Sequence, residues 1–147
     1  MPARIAGTAQ VKRQLAATFA EIRGPMTERA ITEALIIGGG RADVMTPIAT
    51  DHLVNSRYRE VKRGANGWVG RYGYTADYAA AVHALSGKLR GQPRSGVDSF
   101  TTRAGREAFA YRIGNFWDPM GQPQWLEKGF EMALDEIRAA IRRNMTL

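Results

Sequence analysis

The chain contains no cysteine and only two histidines, His52 and His83. The first absence excludes a disulfide scaffold and cysteine-ligated zinc, and it fits a reducing compartment. The two histidines stand far apart, with no His-x-x-x-His or Glu-x-x-His spacing, so no metal or other cofactor is expected. Long apolar runs are missing as well. The longest strongly apolar stretch, Ala34-Leu35-Ile36-Ile37, is far too short to cross a bilayer, and no charged-then-apolar leader opens the chain. The expectation is a soluble protein, cytoplasmic when made, with no membrane partner.

Catalytic patterns are equally scarce. Gly38-Gly39-Gly40-Arg41 lacks the Gly-Lys-Ser/Thr ending of a phosphate loop, and no Gly-x-Ser-x-Gly elbow occurs around Ser56, Ser86 or elsewhere. Glu131, Asp135 and Glu136 fall off the apolar stripe of their helix and are expected in water, with Asp135 near Arg138 at i+3. No nucleophile, base and orienter assemble, and the chain is not expected to be an enzyme.

Acidic residues are few: 14 against 21 Lys and Arg, a formal charge of +7. Such an excess favours polyanions or acidic partners, although zinc-finger, cold-shock and ribonucleoprotein motifs are lacking. Arg57, Arg59, Lys62, Arg63 and Arg71, interleaved with Tyr58 and Trp68, could track phosphates without reading sequence. A merely solvated basic face explains them equally well.

What is present is an α+β pattern on 147 residues, about one domain, with 44% hydrophobic and 24% charged residues. Val11, Leu15, Phe19 and Ile22 share one helical face. Gly24-Pro25 then interrupts, and Met26, Ala30, Ile31, Ala34 and Leu35 form the stripe of a second helix, which Gly38-Gly39-Gly40 is expected to end. A strand is predicted from His52 to Arg63, a hairpin turn at Asn66-Gly67, and a second strand from Trp68 to Tyr74. On the second strand Trp68, Tyr72 and Tyr74 lie on one face, opposite Val69 and Arg71. Asp77 is the expected cap of a short helix carrying Tyr78 to His83.

Residues 86–106 are rich in glycine and basic side chains and poor in large apolar ones. They read as a flexible arm within the single domain 1–147, with Lys88, Arg90, Arg94, Arg103 and Arg106 meeting a neighbouring copy. Ala108 to Trp117 predicts a further strand, and Asp118-Pro119-Met120-Gly121 a turn. Leu126, Phe130, Ala133, Leu134, Ile137, Ile141 and Met145 predict one long final helix with an unbroken stripe. The expected architecture is a small antiparallel sheet, the hairpin plus one or two further strands, packed against the N-terminal helices and the C-terminal helix.

Three short stretches carry a family resemblance: Pro47, Thr50, Leu53 and Ser56; then Tyr78, Ala79, Val82 and His83; then Pro123, Trp125 and Leu126. In this order, around a hairpin and before a last helix, they resemble the neck, tail-completion or head–tail joining proteins of long-tailed bacteriophages. Asp51 stands where that family usually has glycine, and Gln124 is an extra residue in its Pro-Phe-Leu stretch. The resemblance implies a non-enzymatic virion component, assembled in the host cytoplasm as a homo-oligomeric ring at the neck or tail terminus. Its implied partners are its own copies and neighbouring neck, portal-side or tail-tube proteins, with non-specific contact to passing DNA. The arginines Arg57, Arg59 and Arg71 are then candidates for a lumen or an interface. The competing reading is a small basic nucleic-acid-binding protein that works alone in the cytoplasm.

Overall fold

A computed structural model describes residues 8–48, 51–93, 99–101, 103–105, 107–109 and 117–146. Helix α1 spans Thr8–Glu21 and α2 spans Thr27–Met45, joined by a π-helical kink at Ile22–Met26. The kink sits where the sequence breaks: Gly24 leaves helical geometry at φ −114°, ψ −105°, and Pro25 follows inside the bend. A helical turn α3 (His52–Asn55) leads to β1 (Arg57–Gly64) and β2 (Gly67–Tyr74), and α4 covers Ala79–Ala84. Short strands β3 (Ser99–Thr101) and β4 (Glu107–Phe109) precede α5 (Trp125–Met132) and α6 (Leu134–Asn144).

The α+β class is as expected, with a two-stranded antiparallel hairpin set between N-terminal and C-terminal helices. Its register pairs Arg57 with Tyr74 and Gly64 with Gly67, so the two-residue loop is Ala65–Asn66, one residue earlier than the Asn-Gly pair suggested. Among the described residues no further strand joins this sheet, and residues 110–116 of the strand expected over 108–117 lie outside them. Among the described residues β3 and β4 form a separate antiparallel pair.

Four local expectations are corrected. The segment from His52 begins as a helical turn, and the strand starts only at Arg57, because Ser56 closes the turn. Its backbone N–H donates to the carbonyls of His52 and Leu53 at 3.0 and 3.1 Å, and its hydroxyl to Leu53 at 2.7 Å. Asp77 does not cap α4: the cap position is Tyr78, with no side-chain cap bond. The last helix is broken at Ala133 into α5 and α6.

The fourth correction concerns the triple glycine, which does not end α2. The helix runs on through it to Met45. A methyl group on Gly38 would overlap the Phe130 ring of α5, and one on Gly39 the Tyr72 ring of β2. Each glycine costs the helix about 1 kcal/mol against alanine, and here that cost lets two aromatic rings lie on the backbone. Further along the same contact, a methyl on Gly129 would stand 2.5 Å from the Ala42 backbone. Ala42, Ala133 and Ala140 are fully buried, whereas Leu134 and Ile141 of the predicted stripe are exposed. Small side chains therefore let the Phe130 ring and the facing backbones pack closely at this helix–helix contact.

Candidate interaction surfaces

The three stretches that carry the resemblance meet on one buried indole. Trp125 is 1% exposed and packs with Leu53, Ala76, Ala79 and Ala42, flanked by Val82, Leu126, Tyr74 and Met45. The His83 and Tyr74 rings stand edge-on to it, with centroids 4.8 and 5.8 Å away. Backbone bonds tie the same strands of chain: Gln124 N–H donates to His83 at 3.0 Å and Gln122 N–H to Met45 at 2.9 Å. Gln124 adopts a left-handed conformation, φ 53°, to turn the chain into α5. Asp51, at φ −67°, occupies a region open to any residue, so the glycine usual in the resembling family is not required here. Leu53, Ala79 and Trp125 are thus core residues, and Ser56 is a turn-closing one. Thr50 lies outside the described residues. His83 is half-buried, and its Nε2 finds no hydrogen-bond partner among the described residues.

Beside this cluster a groove of about 560 Å³ is lined by Pro47, Ile48, Tyr78, Leu85, Leu89 and Trp117, among others. Lys88 and Arg90 contribute to its wall. The opening part of the expected arm therefore lies against the body. Gly91 N–H donates to Trp117 at 2.9 Å, Trp117 N–H to Gln92 at 3.0 Å, and the Arg90 guanidinium to Gly121 at 3.4 Å. Arg103 is exposed in the turn between β3 and β4. Arg94 and Arg106 lie outside the described residues.

The basic residues of the hairpin do not share one face. By register, Arg57, Arg59 and Arg63 lie with Trp68, Gly70, Tyr72 and Tyr74 on the side turned to α2, while Lys62 and Arg71 lie with Tyr58 on the other. Arg57 is bound to Asp43 at 3.0 Å and Lys62 to Glu60 at 2.5 Å. Arg59, Arg63 and Arg71 are exposed.

Asp43 organises the polar side of the hairpin. Its Oδ1 accepts from the Tyr72 and Tyr74 hydroxyls at 2.8 and 3.2 Å, and the Tyr74 oxygen also lies 2.8 Å from the Thr46 hydroxyl. Burial, then the Asp43 bond, push the Tyr72 phenol well above its ordinary pKa, and burial raises Tyr74. These groups hold β1 and β2 to the end of α2. At the other end of α2, hydrogen bonds from Asn144 and then Arg143 lower the Glu33 carboxyl.

Among the described residues no three His, Asp or Glu side chains gather as a metal site, and no helix is long and apolar enough to cross a membrane. Large apolar side chains instead mark the surface. Val11, Leu15 and Phe19 of α1 are 62, 53 and 50% exposed, so most of the stripe read from the sequence faces outward, while Ile22 is half-buried. Sequence periodicity could find that stripe, but only the fold shows that it stays half or more exposed. Comparison with known protein families, curated proteins and solved structures finds no match to this chain.

Proposed function

We propose that this chain is a structural assembly protein of a long-tailed bacteriophage, acting as a ring of copies at the head–tail neck or the tail terminus. The observation that carries the reading is the apolar surface left outside: α1, α6 and the groove beside Trp125 all expose large hydrophobic side chains. A chain this basic gains nothing from exposing them to water, and their burial between copies recovers roughly 25 cal/mol per Å². The phage assignment rests on the three motif stretches, residues of which pack together around Trp125. Exposed Arg59 and Arg63, on one face of the hairpin, suit a surface past which DNA moves without sequence readout.

Light scattering on the purified chain, alone and with isolated phage heads or tails, tests this reading together with negative-stain imaging. Rings, or decoration of one capsid vertex or tail end, are expected. A monomer that ignores both particles, yet binds duplex DNA with steep salt dependence, would instead establish the solitary nucleic-acid binder.

A further inference from the structure

Helix α1 is anomalous in this fold. Its 14 residues pack substantially only against the adjoining kink. An isolated helix of that length is marginal in water, and the usual remedy is to bury its apolar face. Val11, Leu15 and Phe19 remain half or more exposed, with the Arg23 guanidinium 6.0 Å from the Phe19 ring centroid.

A complementary surface exists on the same chain. Along α5 and α6, Glu131, Leu134, Arg138 and Ile141 follow one another at steps of three, four and three residues, and all four are exposed. Lys12, Leu15, Phe19 and Ile22 follow one another at the same three steps. Laid parallel, the two rows place Lys12 on Glu131, Leu15 on Leu134, the Phe19 ring on the Arg138 guanidinium, and Ile22 on Ile141. Neither Lys12 nor Glu131 has an ion-pair partner among the described residues. Reversing one row would set Lys12 on Ile141 and Ile22 on Glu131, leaving both charges against apolar side chains. Charge therefore selects the parallel register, which pairs leucine with leucine and isoleucine with isoleucine.

The kink decides whose seam is used. The Trp68 indole N–H donates to the Arg23 carbonyl at 2.8 Å, the Thr27 hydroxyl to the Ile22 carbonyl at 2.5 Å, and Arg29 holds Glu21 at 3.3 Å. These bonds hold the kink in a conformation in which α1 makes no substantial contact with its own α6 among the described residues. We infer that α1 docks on the Glu131–Ile141 seam of a second copy, each copy lending its first helix to the next. Exchanging an element between copies is a low-cost route to assembly, and a head-to-tail exchange closes a ring when the rotation permits. The inference rests on the ring reading for its setting but names its own surface.

The chain has no native thiol, so introduced cysteines are unambiguous. Leu15→Cys and Leu134→Cys chains, prepared separately, mixed and oxidised, should give a covalent heterodimer in clear excess over either homodimer. Glu131→Lys should weaken self-association about tenfold, and Lys12→Glu in the same chain should restore it. A monomeric internal disulfide in the Leu15→Cys/Leu134→Cys chain at low concentration would overturn the exchange, showing α1 closed on its own seam. Assembly without the heterodimer would reject this contact while leaving the ring reading standing. A chain that stays monomeric on heads and tails and gives no cross-link would reject both.

Discussion

The α2–α5 contact and the α1 surface both follow three- and four-residue apolar spacing, yet one is fully buried and the other faces water. At the first, Gly38, Ala42, Gly129 and Ala133 let two backbones approach so closely that a single added methyl meets the Ala42 backbone at 2.5 Å. At the second, the side chains are large and half or more exposed. The difference teaches that apolar content did not decide burial here; the distance at which helices could pack did. Small residues allow the closer approach and the denser dispersion contacts, so α5 and α6 turn their glycine and alanine side to α2, and Leu134 and Ile141 outward.

The hardest break in this comparison is Trp125→Ala, which empties the cluster joining α3, α4 and α5. It should cost about 3–5 kcal/mol, read as a fall in urea midpoint. A loss below about 1 kcal/mol would show that the motif stretches do not depend on the indole. Gly129→Ala comes next, at about 1–3 kcal/mol, because the Ala42 backbone has no room to yield. A raised melting temperature there would mean the helices can separate cheaply.

Alkaline pH probes the tyrosine network. Burial and the Asp43 bond raise the folded-state pKa of Tyr72, so its neutral form favours the fold. That stabilisation is complete below the unfolded phenol value of about 10 and is lost as pH rises above it. Tyr72→Phe should cost about 1 kcal/mol at neutral pH through the lost hydrogen bond and should flatten the loss of stability above pH 10. Parallel wild-type and variant profiles would place the alkaline transition elsewhere. The smallest effect on folding belongs to Leu15→Asp, within about 0.5 kcal/mol, since the side chain is half exposed in the free chain. The same change should abolish self-association in light scattering, and a variant that still assembles would remove α1 from the interface.

Much of the fold was legible. The kink at Gly24-Pro25, the hairpin, the face holding Trp68, Tyr72 and Tyr74, and the i+3 pair of Asp135 with Arg138 at 3.2 Å all follow from local chemistry. The triple glycine misled because a glycine run reads as a helix end until the Phe130 and Tyr72 rings lying on it are known. The basic hairpin residues read as one surface because a list of arginines hides the period of two that divides them between faces. The arm lost part of its freedom to hydrogen bonds between residues 90–92 and residues 117–121, partners too distant in sequence for composition to reveal.

Sequence alone determined the helix and hairpin segments, the excess of positive charge, the lack of thiols and the existence of an apolar stripe on α1. These depend on spacing and composition, which act over a few residues. Tertiary structure decided that His52 starts a turn, that α2 runs through Gly38-Gly39-Gly40, that Trp125 gathers three separate stretches, and that Val11, Leu15 and Phe19 of α1 stay half or more exposed. Those outcomes depend on which backbone can approach which, and that distance is set only when the whole chain packs.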